Sequence, residues 1–328
     1  MTASQHNTDQ HLTTHIPASH LSSAQIDRAV GAVLASATGD ALGAPYEFHP
    51  PIPDDEPVVL HAGGGWELGE WTDDTSMAIP LLDALARGER LDDPAVLAGV
   101  VREWRDWTRE AKDVGIQTRS ILRSLPADST EEDARRAARA LHEANGRSGG
   151  NGSLMRTGPI ALGYLDDPDA LASVARRVSD LTHFETDAGD ACVIWSLAVR
   201  HAIVTGEYDM RAGIQLLPQE RRARWHELLD EAERRQPRDI ENNGWVVAAL
   251  QAAWSAIVHA DSLLDTLERA VRCGYDTDTV AAIAGSLAGA KWGASALPWS
   301  LRRHLHGGPG RGGDDLMRSA VLAVRGGG

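Results

Sequence analysis

Two short acidic clusters, Trp71-Thr72-Asp73-Asp74-Thr75 and Tyr275-Asp276-Thr277-Asp278-Thr279, stand far apart in the chain, and each runs directly into an apolar, Ala-rich stretch with helical spacing. Ser, Thr and Asp are favoured at helix starts because their oxygens accept from backbone N–H groups that have no partner inside the helix. Two acidic caps are therefore the plain reading. Capping needs one oxygen, however, and a second adjacent carboxylate adds like-charge repulsion unless a positive group sits between them. A hard divalent cation is such a group, since Mg²⁺ takes carboxylate, hydroxyl and water oxygens in octahedral geometry. Matching clusters at two distant sites thus predict a fold in which two helix starts meet around shared ions.

The remaining composition agrees with helices. Ala and Leu dominate the 328 residues while Phe (2) and Tyr (4) are scarce, a balance that favours helix over sheet. A formal net charge of −15 argues against a basic surface that grips nucleic acid. It leaves room for a small anionic ligand held by backbone N–H groups or bound metal. The two cysteines, Cys192 and Cys273, fall in apolar helical stretches and read as buried, inert thiols. No stretch is long and apolar enough to span a bilayer, and Met1 to His20 lacks a charged-then-apolar signal pattern. The expectation is a cytoplasmic, monomeric protein.

We read one all-α domain over 23–305, a disordered tail over 1–22, and a Gly-rich segment with a C-terminal helix over 306–328. Helical spacing begins near Ser22 with Ser23 as the cap, and Ile26, Val30, Val33 and Leu34 on one side. Pro80 predicts a kink or a short first segment in the helix after the first cluster. Further helices are expected at 93–110, 114–124, 130–144, 153–165, 168–180, 187–205, 217–235, 244–259, 261–272, 278–293 and 314–325. Small residues in Ala284-Gly285-Ser286 and Ala288-Gly289-Ala290 allow close helix approach, and 307–313 is expected to be loose.

Four motifs then occur in one order: Gly39-Asp40-Ala41-Leu42-Gly43 with Tyr46-Glu47, the Thr72 cluster, Asn151-Gly152-Ser153-Leu154-Met155-Arg156, and the Asp276 cluster. That order resembles the ADP-ribosylglycohydrolases, the group that includes the dinitrogenase-reductase-activating glycohydrolases. The resemblance covers roughly residues 25–300. It implies a compact orthogonal helical domain with two Mg²⁺ ions, which Mn²⁺ can replace. The implied activity is release of ADP-ribose from a modified macromolecule by cleavage at C1″ of the distal ribose. Carried over by position, Thr72, Asp73 and Asp74 match one metal-binding group, and Asp276, Asp278 and Thr279 the other. Glu47 matches a glutamate that approaches the metal centre, Asp113 an aspartate near the scissile ribose, and His183 a histidine near the substrate. Gly274-Tyr275 departs from the usual Gly-Gly before the last motif, so Tyr275 is expected to narrow the pocket or stack on ligand.

Glycosidic cleavage needs charge stabilisation at an oxocarbenium-like carbon and a nucleophile opposite the leaving group. Glu47, Asp113 and Asp278 are the catalytic candidates. Gly115, Gly149, Gly150, Asn151, Gly152, Ser153 and Met155 join His183 and Tyr275 as substrate-binding candidates, because glycines at a helix start let backbone N–H groups reach phosphate. Phe184 reads as core, with stacking on adenine as the alternative; Trp195, Trp245, Trp254 and Trp292 read as core or half-buried, and Trp66 and Trp71 as further aromatic walls. The expected partner is an ADP-ribosylated protein, arginine-linked first, or a small ADP-ribose conjugate, with nucleic acid only as a modified substrate. The leaving group would be read by the Pro-rich loop after Glu47 and by 106–118. The alternative is an inactive relative or a toxin-immunity protein that acts by occupancy.

Overall fold

The computed structural model describes residues 21–327, so the expected tail lies outside it except for Leu21 and Ser22. The first seven helices are α1 (Ser23–Gly43), α2 (Asp73–Ala86), α3 (Pro94–Trp107), α4 (Ile116–Ser124), α5 (Glu131–Asn145), α6 (Pro168–Asp180) and α7 (Thr186–Thr205). They are followed by α8 (Met210–Ile214), α9 (Gln219–Arg234), α10 (Val246–Val258), α11 (Leu263–Val271), α12 (Thr277–Trp292), α13 (Trp299–Arg302) and α14 (Gly313–Val324). The protein is all-α apart from three two-residue strands among the described residues.

Two helices place the site. Nearly every residue of α12, and α1 from Ala29 onward, is buried, as expected of helices apolar on all sides at the centre of a domain. They run antiparallel and almost touch through small residues: Gly31 lies on Gly289, Ala35 on Gly285, Gly39 on Ala281 and Gly43 on Asp278. A Cβ on Gly285 would stand 2.2 Å from the Ala35 carbonyl oxygen, and one on Gly43 2.5 Å from the Asp278 backbone. The C-terminal end of α1 is therefore brought against the N-terminal end of α12. The small residues read from the sequence carry this contact.

Several elements differ from expectation. Ser22 rather than Ser23 caps α1, with its hydroxyl accepting from Gln25 N and the Gln25 side chain accepting from Ser22 N. The helix expected over 153–165 is two 3₁₀ turns, Asn151–Ser153 and Gly158–Gly163. Pro159 lacks the N–H an α-helix would use there. Gly158 and Gly163 are pressed against Ser286 and Leu85, where a Cβ would come within 2.8 and 2.4 Å. The short α8 had no counterpart in the sequence reading. Pro80 does not divide α2, which is one helix across it.

The segment expected to be loose is ordered. β2 (His306–Gly307) pairs in parallel with β1 (Glu70–Trp71) and antiparallel with β3 (Arg311–Gly312). The Trp71 indole lies over Gly307 and donates from Nε1 to the Gly308 carbonyl at 3.0 Å. Its neighbour across the sheet is remote in sequence, which is why the order escaped the sequence pattern. Cys192 and Cys273 are free and buried, with burial pushing both thiols up. Trp195 and Trp254 are core; Trp245 and Trp292 stay part-exposed. Phe184 is half-buried against His142 and Arg139 rather than core.

Candidate active site and metal centre

The first acidic cluster does not cap its own helix. Thr72 is the N-cap of α2 yet makes no capping bond with its side chain. Asp40, from the last turn of α1, does that work instead. Its Oδ1 accepts from Thr72 N at 2.8 Å, and its Oδ2 accepts from Thr75 N at 2.9 Å and Thr75 Oγ1 at 2.6 Å. Asp73 and Asp74 are thereby released from capping.

The second cluster is held by other means. Asp276, the N-cap of α12, makes no side-chain cap either. Asn151 Nδ2 donates to Asp276 Oδ2 at 2.8 Å and to the Asn243 carbonyl at 2.9 Å. Asn243 Nδ2 in turn donates to the Gly274 carbonyl at 2.8 Å. Thr277 Oγ1 donates to the Gly43 carbonyl at 2.9 Å, tying the start of α12 to the end of α1.

The two clusters meet. Thr72 Oγ1 donates to Asp74 Oδ2 at 3.0 Å and lies 3.3 Å from Asp278 Oδ2, while Thr279 Oγ1 lies 3.4 Å from Asp74 Oδ2. Carboxylate oxygens of Asp40, Asp74 and Asp278 come within 4.8 Å of one another, and so do those of Glu47, Asp276 and Asp278. Burial, followed by the charges of neighbouring carboxylates, pushes Asp74 and Asp278 well above the usual carboxylate range. Burial and then Asp113 push Asp73 up to about 7, and burial and then Asp276 push Glu47 up to about 8. Burial raises Asp40 to about 6 against the lowering effect of its Thr75 and Thr72 hydrogen bonds. Asp74 Oδ1 is buried with no hydrogen-bond partner. An acceptor orphaned among like charges is expensive, and a hard cation is the partner that this oxygen set fits.

A cavity of about 410 Å³ opens beside the cluster. Glu47, Asp73, Asp113, Asp276, Asp278 and Thr279 form its acidic wall. Gly115, Gly150, Asn151, Gly152, Met155 and His183 line the rest. Gly115 N donates to Asp73 Oδ2 at 3.1 Å, and Asp113 Oδ1 accepts from Val114 N at 2.8 Å. Gly150 and Gly152 make room for the His183 ring, since a Cβ on either would approach it to 3.2 or 3.1 Å.

His183 is fixed by a buried chain of hydrogen bonds. Buried Arg156 donates to Thr182 Oγ1 at 2.7 Å, and that hydroxyl shares a hydrogen bond with His183 Nδ1, 2.8 Å away. Nε2 lies beside Gly150 and Gly152, and the residue lines the cavity. Burial, with Arg156 nearby, lowers the imidazole to about 3, so the ring is neutral.

Five expected residues lie elsewhere. Thr72 and Asp74 are buried and do not line the cavity, and Ser153 is in the core, where its hydroxyl meets Ser179 and Cys192. Gly149 lines a neighbouring cleft of about 510 Å³, and Tyr275 does not line the cavity at all. Sequence reasoning quoted Asp40 and Arg156 within motifs without assigning them work, and it passed over Asn243. Their roles depend on partners distant in sequence, so only the adjacency of Asp40 to Gly39 and Gly43 offered a signal.

Fold and site together define an all-helical scaffold in which two acidic helix N-termini converge beside a ligand-sized cavity. A family model described as ADP-ribosylglycohydrolase matches residues 21–326, and the chain belongs to that family. It is 31% identical to an ADP-ribosylarginine hydrolase Tri1 of Pseudomonas putida (strain GB-1), over 83% of this chain and 72% of the relative. It is 29% identical to the ADP-ribosyl-[dinitrogen reductase] glycohydrolase of Rhodospirillum rubrum, over 83% of this chain and 88% of the relative. A solved structure described as an ADP-ribosylglycohydrolase-related protein complex is similar with a TM-score of 0.68 and 29% identity, covering 92% of this chain and 98% of that one. No helix among the described residues is long and apolar enough to cross a membrane.

Proposed function

We propose that this chain is a Mg²⁺-dependent hydrolase that releases ADP-ribose from arginine on a modified protein. The observation that carries the reading is the convergence of two acidic clusters on a cavity, with Asp278 common to both carboxylate triads and Asp74 Oδ1 left without a partner. A carboxylate shared by two triads is the donor arrangement that suits two cations. Asp74, Asp276, Asp278, Thr72 and Thr279 would hold them, with Asp73 beside them. Asp40 is close enough to join, but three hydrogen bonds to the start of α2 occupy its oxygens, which makes it an anchor. When bound, the cations supply Lewis acidity and orientation to ribose hydroxyls and water.

The chain's own groups supply the remainder. Breaking the C1″–N bond leaves the electron pair on nitrogen, which takes up a proton, while water adds its oxygen to C1″ and gives up a proton. Glu47, in reach of Asp276 and Asp278 and lifted to about 8, is the proton-handling group. Asp113 faces the same cavity as a second carboxylate for the reacting ribose. His183 offers Nε2 to the ligand beside the Gly150–Gly152 turn.

Arginine as the leaving group is supported by the similarity to the ADP-ribosylarginine hydrolase of Pseudomonas putida and by a larger cleft of about 740 Å³ that shares Asp73 and Asp113 with the cavity. Glu103, Asp106 and Glu110 line that cleft, where Glu70 is paired with Lys112 at 2.7 Å, and the acidic excess suits a cationic polypeptide segment. The deciding experiment assays released ADP-ribose from defined arginine-, serine- and small-molecule conjugates, with and without Mg²⁺, using wild type and Asp278→Asn. Mg²⁺-dependent turnover of the arginine conjugate that is lost in Asp278→Asn supports the reading. Equal protection by both proteins without turnover would establish occupancy instead.

A further inference from the structure

Phe48 is costly on two counts. Its φ is +64°, in the left-handed region that residues with a Cβ adopt at an energetic cost, and the residue is 80% exposed. Tyr275 shares both traits, with φ +58° and 53% exposure. The two hold each other in place: Phe48 N donates to the Tyr275 carbonyl at 2.7 Å, and Tyr275 N donates to the His49 carbonyl at 2.7 Å. This pairing fastens the loop bearing Glu47 to the loop bearing Asp276, whose carboxylates are neighbours at the centre.

Loop fastening accounts for the backbone but not for a phenyl ring. Gly or Asn would adopt the same conformation with less strain, and an exposed ring gains nothing from burial in the free protein. Phe48 does line the 410 Å³ cavity, as do its neighbour Glu47 and exposed Ile116. Tyr275, similarly strained, does not line it. The apolar surface of Phe48 is thus placed where a bound molecule would cover it.

Resting on the reading that this cavity holds ADP-ribose, we propose that Phe48 is a ligand-binding residue whose ring packs over the bound ADP-ribose moiety. The strained, mutually bonded backbone sets the ring in advance, so little ordering remains when ligand arrives. The leaving group lies towards the larger cleft, which Phe48 does not line, so the ring contributes equally whatever the linkage.

The test measures ADP-ribose binding by calorimetry in the full-length wild type, Phe48→Asn, Phe48→Gly and Phe48→Trp, with melting temperature measured alongside. Asn and Gly keep the left-handed backbone and remove the ring. They are expected to melt at or above the wild-type temperature while binding ADP-ribose on the order of tenfold more weakly. Phe48→Trp is expected to retain binding. Rates on arginine- and serine-linked conjugates should fall by the same factor in Phe48→Asn at subsaturating substrate. Wild-type affinity in a folded Phe48→Asn, or a loss confined to one linkage, overturns the proposal. Failure of the wild type itself to bind ADP-ribose would instead refute the reading of the cavity, and this inference with it.

Discussion

The two acidic clusters are near twins in composition and open helices in the same way, yet they are supported by different means. α2 is capped by a carboxylate from another helix: Asp40 takes three hydrogen bonds from Thr72 and Thr75. α12 is set by backbone approach and by amides: Gly43 lies against Asp278, and Asn151 and Asn243 fix Asp276 and the turn before it. For α2 the capping comes from outside the cluster; for α12 outside residues position the start, while Thr277 bonds the Gly43 carbonyl and Asp278 Oδ1 accepts from Thr279 N. That leaves carboxylate lone pairs inside the clusters, including Asp74 Oδ1, without protein partners. Adjacent acids at a helix start are therefore better distinguished as cap or ligand by asking what else caps the helix.

Breaking the α2 support has the largest expected effect. Asp40→Ala leaves two backbone N–H groups and a hydroxyl without their acceptor, each costing about 1–3 kcal/mol when buried. Urea unfolding should show a loss of about 3 kcal/mol or more, and a loss below about 1 kcal/mol would mean that Asp40 does not carry the cap. On the α12 side, Gly43→Ala forces a Cβ into Asp278 backbone and should cost about 1–3 kcal/mol. The same substitution at Gly99 in α3 meets nothing within 4 Å and should stabilise by about 0.5–1 kcal/mol. Equal effects at the two glycines would dispose of the close-contact argument. Asn151→Ala removes a partner of Asp276 and should weaken divalent-cation affinity about 10–100-fold with little change in fold, as judged by calorimetry and circular dichroism.

Much of this was legible in the sequence. The clusters announced themselves by residue type, and Gly285 and Gly289 by their small-residue spacing. Cysteine burial followed from the apolar runs around Cys192 and Cys273. What could not be read was work done at a distance. Asp40 stood in a quoted motif, but its partners lie more than thirty residues on. The strand at His306–Gly307 looked loose because Glu70–Trp71, its partner, is far upstream. His183 Nδ1 meets a hydroxyl that is itself held by buried Arg156. The 153–165 segment departs from the expected helix for a local reason: Gly158 and Pro159 interrupt its apolar spacing.

The central claim is that these buried carboxylates repel one another until divalent cations bind. Thermal melting across pH, with EDTA and with millimolar Mg²⁺, tests it most directly. A carboxylate raised in the folded state contributes stability below its ordinary range and loses it as pH rises through the folded value. With Asp73 near 7 and Glu47 near 8, the metal-free protein should lose stability progressively from about pH 4 to about pH 8. Mg²⁺ should flatten that decline and raise the melting temperature most at the alkaline end, because a ligand bound only by the folded state stabilises it. Asp278→Asn should remove most of the Mg²⁺ effect. Melting that is flat with pH in EDTA and unmoved by Mg²⁺ would contradict the account.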